Sequence, residues 1–450
     1  MNWRGPLIRL GLGMFRPAIL SNLRFLESIQ YRSSKELQCL GEQRLVNLLR
    51  HASQEVPYYA EILPDLGVVR DGKVNIDRFA DIPLLTREIV QREGDRLHAA
   101  DRARRGCYPN SSGGSTGQPV SFIQDRAYED WSYAARFFCN QMLGKNIGDA
   151  EVSLWGSQRD LLEGSIGIHK KIKHWLFNLK RLNSFLMDDH QMLGYIATIA
   201  REKPVMLAGY MDSLFEVARF VRKQGIEPFQ PQFVLSQAGT LTDLARQVIS
   251  EAFGAPVYNF YGSREMSTIA CECGHRNLHI LSGGQLVEVV DVQDGWGDLI
   301  VTCLTNYAMP FIRYRIGDKG ALRDGNCACG RGFPLLRGVA GRATECFRTR
   351  NGRVIPPQYI IDALHTISTT GSIGKFQFVQ RDFDRVVVRI VTNQENATIK
   401  SEIRRRLQLV MGKSCEVDFE VVDDIPPLAS GKYLYTFSQV SDHSHHSGLR

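Results

Sequence analysis

The chain has 450 residues, 43% hydrophobic and 23% charged, with a formal net charge of +7. That length exceeds what one compact core organises and predicts two or three domains. The basic excess is mild and scattered, which argues against nucleic-acid binding, and no window offers the roughly 20 apolar residues that span a bilayer. Ten cysteines with no apolar leader ahead of them predict a cytoplasmic protein with thiols that are free, reactive or metal-bound rather than paired.

Along residues 1–20, Arg4, Arg9 and Arg16 interrupt apolar residues and Pro6 and Pro17 bracket them. This reads as a peripheral arm, with a membrane-surface helix as the alternative. Residues 35–56 carry Leu37, Leu45, Leu48, Leu49 and Ala52 on one helical stripe that Pro57 ends. Asp81 to Thr86 reads as a turn and cap before a short helix at 87–92. A Ser/Gly-rich loop precedes an aromatic-rich helix over 125–142. From Val205 onward, strands at 205–207, 233–236, 257–261 and 299–304 alternate with helices at 214–224 and 241–253. That alternation predicts α/β architecture with a largely parallel sheet. After a break near 338–342 comes an α+β unit with strands at 376–379, 386–391 and 415–421. Its helix over 397–411 has Ile399, Ile403, Leu407 and Val410 at core spacing. The expected division is a large domain over 1–340, a small C-terminal lid over 341–440 and a disordered tail over 441–450.

The run Asn110-Ser111-Ser112-Gly113-Gly114-Ser115-Thr116-Gly117-Gln118-Pro119 is the most informative stretch. Glycine admits positive φ, so several backbone N–H groups can converge, and hydroxyls add donors that suit a phosphate. A flexible linker has the same composition, and the spacing is not that of a Walker loop. Further polar clusters follow in order: Tyr261-Gly262-Ser263-Arg264-Glu265 after a strand, Arg313 to Asp318, Gly341-Arg342, and Ser430-Gly431-Lys432. Alone, Glu265 reads as a solvated turn residue, Asp318 as a turn former and Lys432 as a surface lysine. Their joint order is what carries information.

Taken together, the chain resembles the phenylacetate–coenzyme A ligase-like branch of the adenylate-forming superfamily, in particular its capsular-polysaccharide subgroup. The likeness runs from Phe25-Leu26-Glu27-Ser28 through Leu48-Leu49-Arg50-His51-Ala52 and Val56-Pro57-Tyr58-Tyr59 to Gly431-Lys432. It implies a large adenylation domain with a small mobile α+β lid. By that resemblance Ser111 to Gly117 would hold the β- and γ-phosphates of ATP. Tyr261 would stack on adenine, with Gly262 beside it in the nucleotide site, and Glu265 would ligate Mg²⁺, a hard cation that prefers oxygen. Asp318 would take the ribose hydroxyls, and Arg342 would contact ribose or phosphate at the hinge. Lys432 would neutralise charge growing between carboxylate oxygen and α-phosphorus.

The implied reaction is acyl-adenylate formation, with release of pyrophosphate, then displacement of AMP by coenzyme A while the lid rotates. An amine or carrier-thiol acceptor, or a non-catalytic nucleotide-binding role, are the alternatives. Three positions depart from the family pattern: Gln118 stands for a lysine, Arg264 for a threonine or serine, and Gly239 for a carboxylate. Trp155 to Ser157 and Gly209 to Ser213 fall where the family builds its acyl pocket, although aromatics suit a plain core equally. The expected partners are a small-molecule carboxylic acid from a surface-polysaccharide pathway and, as an option, a second copy of the chain. Arg404 to Arg406 read as the solvated face of their helix.

A cysteine cluster is the second signal. Cys271-Glu272-Cys273 and His279 follow Glu265, and Cys327-Ala328-Cys329 follows Asp318. Four soft ligands from two segments suit tetrahedral Zn²⁺, and chains of the resembled branch carry a comparable set. Cys273, His279, Cys327 and Cys329 are the favoured ligands, with Cys271 as substitute and His275 outside. A set without an open position predicts a structural zinc. Reduced, buried cysteines are the alternative.

Overall fold

The computed structural model describes residues 2–112, 120–155, 168–184, 187, 189–293, 295–342, 347–350, 354–355, 360, 375–392, 397–426 and 434–440. Two helices, Arg4–Phe15 and Pro17–Ile29, open the chain. The peripheral-arm reading is corrected here. Ile8, Ile19, Leu23, Leu26 and Ile29 are buried together with Trp131 and Phe138, so most of this segment is core. Proline at the first position of the second helix starts a helix rather than breaking one, because its missing N–H needs no partner there.

The long helix Ser34–Glu55 begins at a capping box. The Ser33 hydroxyl accepts from the Glu36 N–H, and the Ser33 N–H donates to Glu36 Oε2 at 2.9 Å. Leu37, Leu45, Leu48, Leu49 and Ala52 are its buried residues, as the stripe predicts. Pro57 both ends it and opens the helix Pro57–Asp65. A ribbon β1–β2 (Val69–Arg70, Lys73–Val74) and a hairpin β3–β4 (Tyr108–Ser111, Ser121–Gln124) flank the Thr86-capped helix Arg87–Glu93. Asp125 caps the helix Arg126–Met142 by accepting the Tyr128 N–H at 2.8 Å.

The main sheet has eleven strands. Its parallel part is β5 (Glu151–Leu154), β6 (Leu179–Leu182), β7 (Met206–Tyr210), β8 (Phe233–Gln237) and β9 (Val257–Ser263). Helices Met211–Gln224 and Asp243–Phe253 make the crossovers. The rest is β10 (Ser267–Glu272), β11 (Leu278–Ile280), β12 (Gln285–Gln293), β13 (Trp296–Cys303), β14 (Tyr314–Arg323) and β15 (Leu335–Arg342). These pair antiparallel, in the order β12-β13-β14-β15-β11-β10-β9-β8-β7-β5-β6. The expectation of a largely parallel sheet therefore fails beyond β9. Among the described residues the links between β9 and β15 contain no helix, and strands joined without a crossover helix pair antiparallel.

After a small ribbon β16–β17 (Phe347–Arg348, Val354–Ile355), the C-terminal domain has its own four-stranded sheet, ordered β20-β19-β18-β21. Its strands are β18 (Phe376–Asp382), β19 (Arg385–Ile390), β20 (Glu416–Val421) and β21 (Thr436–Ser438). The helix Ala397–Met411 buries Ile403 and Leu407, with Ile399 and Val410 partly buried at the same core. Arg405 and Arg406 pair with Glu402, while the Arg404 guanidinium lies over Phe419 at 5.4 Å. The expected disordered tail lies outside the described residues.

Leu48 is fully buried in the core cluster that includes residues of β4, β13 and β14. Leu48→Ala is expected to lower unfolding free energy by about 2–5 kcal/mol, read as an earlier urea midpoint at unchanged slope.

Candidate active site and metal centre

The C-terminal ends of parallel strands are where α/β sheets present ligand-binding loops. Trp155 follows β5 and Tyr210 ends β7, and their rings meet at 4.3 Å between centroids. After β8, Ala238 takes φ 57° and Gly239 follows. A Cβ on Gly239 would lie 3.0 Å from the Met211 Cβ. The missing carboxylate at this position is thus matched by a helix start that has closed in on it.

After β9 the chain reverses within residues 264–266 to enter β10. Gly262 faces the Ser267 carbonyl so closely that a Cβ would sit 2.3 Å from that oxygen, and Ser267 itself takes φ 59°. Only glycine fits such an approach. The turn is then fastened from three sides. Gln124 Nε2 and the Tyr128 hydroxyl donate to the Arg264 carbonyl at 2.7 and 3.0 Å. The Met266 N–H donates to Ser263 Oγ at 3.1 Å. Gln285 donates to the Met266 carbonyl.

The structure brings several of the expected nucleotide-site residues together. The Tyr261 hydroxyl donates to Asp318 Oδ2 at 2.8 Å, joining β9 to β14. Arg342 stands opposite Asp318 in the β14–β15 register. The Arg264 guanidinium donates to the Ser111 carbonyl at 3.2 Å, so the residue that departs from the family pattern reaches the base of the Ser/Gly loop. That loop is clasped at its neck: the Ser112 N–H donates to the Val120 carbonyl and the Val120 N–H to Ser112 Oγ, both at 2.9 Å. Glu265 is buried beside Tyr128 and Tyr314. Burial pushes both phenols up, with the Glu265 charge next after it for Tyr314. Gly113, Gly114, Ser115, Thr116, Gly117, Gln118 and Lys432 lie outside the described residues, as does the Arg342 side chain.

Sequence reading missed the residues that hold this frame. Glu272 accepts both Arg246 guanidinium nitrogens, at 2.9 and 2.7 Å, and the Asn259 N–H at 2.8 Å. Asp125 accepts the Tyr307 N–H at 3.1 Å besides capping its helix. Asn306 donates to the carbonyls of Ile123 and Met309 at 3.0 and 3.1 Å. The partners that join separate elements, Ile123 for Asn306, Tyr307 for Asp125 and Arg246 for Glu272, are far away in sequence, and no local pattern announces them.

Cys273, His279, Cys327 and Cys329 form one cluster whose donor atoms lie within 4.8 Å of one another. The Cys273 and Cys327 sulfurs are 3.6 Å apart, and Cys329 Sγ is 3.4 Å from His279 Nε2. Four-coordinate zinc, with bonds near 2.3 Å to sulfur and 2.0–2.1 Å to nitrogen, needs S···S and S···N separations of ~3.5–3.8 Å. The set fits. Burial opposes ionisation of Cys327, but N–H donors from Cys329 and Asn277 overcome it and bring that thiol below its ordinary value. Burial pushes Cys273 up to about 12 and brings His279 down to about 4, keeping the imidazole neutral.

Cys271 is corrected. It lies inside β10, opposite His279 in register, but its thiol hydrogen-bonds with Cys139 in the apolar layer containing Trp131 and Phe138. Cys273 comes just past the strand end, in a turn closed by its N–H to the Asn277 carbonyl at 3.1 Å, and that turn aims it at Cys327. His275 is exposed and outside the cluster. All nine described cysteines are free of disulfides.

Two outcomes follow. Protein purified without chelator should carry one zinc per chain by elemental analysis. Cys327→Ser should lose it and Cys271→Ala should keep it. In metal-free protein, the His279 contribution to stability is intact above the ordinary imidazole value of 6.5 and is lost as pH falls toward about 4, because the unfolded chain binds the proton first. Thermal midpoints of His279→Gln measured across that window should fall less with acidification than those of the unaltered chain.

Residues 347–439 match the family described as the CapK C-terminal domain. Protein CapK of Staphylococcus aureus is 24% identical over 419 residues, covering 91% of each chain. A phenylacetate–coenzyme A ligase of Thermus thermophilus is 24% identical over 338 residues, covering 72% of this chain and 74% of that one. Among solved structures, 2-hydroxyisobutyryl-CoA ligase in its postadenylation state with R3-HIB-AMP superposes with a TM-score of 0.69 at 20% identity, covering 87% of both chains.

Proposed function

Because this is a CapK-like chain with phenylacetate–coenzyme A ligase homologues and structural neighbours among the adenylate-forming ligases, we propose that it activates a small carboxylic acid with ATP and transfers the acyl group to coenzyme A. The observation that carries this reading is the hydrogen bond from Tyr261 to Asp318, formed across the frame that also brings Arg264 to Ser111. Residues distant in sequence converge here from β9, the turn after it and β14, and they are the residues that adenine, ribose and phosphate would each require.

In the first half-reaction a carboxylate oxygen attacks the α-phosphorus, and the bond from that phosphorus to the bridging oxygen breaks to release pyrophosphate. The Asp318 carboxylate, oriented by Tyr261, would accept the ribose hydroxyls. Backbone and hydroxyl donors from Ser111 onward would hold the β- and γ-phosphates. Arg264 stands at the base of that loop, where a cation can offset the loss of the lysine replaced by Gln118. Glu265 would hold Mg²⁺, which supplies charge neutralisation to the triphosphate when bound. Lys432 would stabilise charge developing at the α-phosphate, and Arg342 would contact ribose or phosphate. In the second half-reaction the coenzyme A sulfur attacks the acyl carbon and AMP leaves. The Trp155–Tyr210 pair is the wall of an acyl pocket in this reading, favouring an acid with an apolar body. Resemblance to the capsular subgroup supports a surface-polysaccharide setting for that acid.

Zinc at Cys273, His279, Cys327 and Cys329 is structural in this proposal, since four protein donors leave no open position. It would tie the segment after the Glu265 turn to the segment after Asp318.

Pyrophosphate exchange into ATP with a panel of carboxylic acids tests the proposal, and acid-dependent exchange is expected. Lys432→Ala and Glu265→Gln should each reduce it at least a hundredfold, on the scale of removing one transition-state donor. Release of AMP that depends on coenzyme A identifies the acceptor; release driven by an amine instead assigns a different second step. Absence of exchange with every acid, together with no calorimetric binding of ATP or AMP, overturns the reading.

A further inference from the structure

The helix Arg4–Phe15 is apolar on two opposed sides. At about 100° per residue, Gly5, Ile8 and Leu12 share one side, and Gly5 and Ile8 are buried while Leu12 packs partly buried against the same core. Trp3, Leu7, Leu10 and Met14 share the opposite side, with exposures of 50, 50, 61 and 65%. The second apolar side does not end with this helix. Trp3 and Trp175 rings meet at 6.1 Å, and Trp175 and Ile172 on the helix Ile168–Leu176 are 60 and 56% exposed. Two helices far apart in sequence thus present one continuous apolar face. Isolated exposed leucines need no explanation, but a contiguous face carrying two tryptophans marks an interaction site.

The charges around this face choose its occupant. The sequence has four arginines and no acid before Glu27, and residues 164–187 hold four lysines, one arginine and no acid. Arg9, Lys171, Lys173 and Lys180 are exposed. The Arg4 guanidinium lies over both tryptophan rings, 4.9 and 5.7 Å from their centroids, so a cation sits at the join of the two helices. The neighbouring acids are engaged: Glu129 and Asp130 pair with Arg16, and Asp149 accepts from Asn2. An apolar face with a basic rim and tryptophans between them is the pattern of a helix lying in the headgroup layer of an anionic bilayer. A second copy of the chain would set two basic rims against each other. No helix among the described residues is long and apolar enough to cross a membrane, so the contact is peripheral.

The geometry points to this paired-helix face, Trp3, Leu7, Leu10 and Met14 with Ile172 and Trp175, as a docking surface for an anionic phospholipid bilayer. Lysine and arginine would meet the phosphate headgroups while the apolar residues enter the acyl boundary, with the main sheet held on the aqueous side.

Co-sedimentation of the full chain with vesicles tests this. Vesicles of phosphatidylcholine containing about a third phosphatidylglycerol should bind it, pure phosphatidylcholine much less, and salt at about 0.5 M should weaken binding by screening the rim. Leu10→Glu combined with Met14→Glu should lower vesicle partitioning at least about tenfold while leaving the thermal midpoint unchanged. Trp175→Ser combined with Ile172→Ser reads the same face from the other helix, should the first pair misfold. The proposal is overturned by failure to bind the anionic vesicles, or by undiminished binding of both variant pairs. It is equally overturned if light scattering shows a dimer that these substitutions split, which would assign the face to a second copy.

Discussion

The reversal between β9 and β10 is the constraint on which the site depends. A side chain at position 262 would collide with the Ser267 carbonyl, so the two strands approach as closely as they do only because glycine is there. That closeness turns the chain within residues 264–266 and leaves Arg264 and Glu265 at the tip. The same turn ends the parallel half of the sheet and begins the antiparallel half. A chemical motif therefore sits where the topology changes. Strand ends that elsewhere lead into helices lead here into a short, rigid display of charged side chains. The carbonyls of that turn are held by Gln124, Tyr128 and Gln285, from three different elements. A carbonyl with a buried donor cannot drift without leaving that donor unsatisfied, so the turn has one position.

Rigidity on the other side of β10 comes from charge and from the thiol cluster. Glu272 is 6% exposed and would be costly to bury alone; three hydrogen bonds, two of them from Arg246, satisfy it. One residue later the strand gives way to the turn that carries Cys273. The Cys327–Cys329 segment runs on into Arg331 and Gly332, where Arg331 donates to Gln30 and the Gly332 N–H to the Gln30 carbonyl, both at 2.9 Å. A Cβ on Gly332 would overlap the Arg32 carbonyl at 1.8 Å, so this contact also requires glycine. The end of the second N-terminal helix is thus seated on the strip that follows the thiol cluster. Helical layer, thiol cluster and the β9–β10 turn are thereby linked through β10 and the segment after Cys329.

What the sequence discloses about this arrangement depends on the range of the interactions. The Ser34–Glu55 helix was legible because its stripe, its cap and its terminating proline are all local. Cys273, His279, Cys327 and Cys329 were legible as one candidate set because the chemistry of cysteine and histidine is distinctive at any spacing. Cys273 was favoured over Cys271, but what separates them in the structure, the end of β10 and Cys139 arriving from a distant helix, has no mark in the local sequence. The extent of the parallel sheet was misjudged for a related reason: periodicity marks a strand but not the direction of its neighbour. Gln124, Asp125, Glu272 and Asn306 carry no motif, and only their partners reveal what they do. The N-terminal helices were underestimated because Ile8 and Leu12 are diluted by apolar residues on the opposite side, which blurs amphipathic contrast.

That blurring is itself informative. A helix that buries one apolar side against Phe138 and Trp131 already has its folding requirement met, so nothing in the core demands Leu7, Leu10 or Met14 on the other side. Folding alone would be served as well, and solubility better, by polar residues there. The same holds for Ile172 and Trp175, whose helix meets the first one through Trp3 and Arg4. Two helices from separate parts of the chain thus carry apolar side chains that the monomer does not use, and a cation is fixed between them by two aromatic rings. Because the first of these helices shares its core with Pro17–Ile29, and the chain just past that helix meets Arg331 and Gly332, anchoring the face would hold the large domain, including β10 and its turn, at a set orientation to the bilayer. The site would then receive an acid held at, or released near, a lipid surface without requiring any part of the chain to cross it.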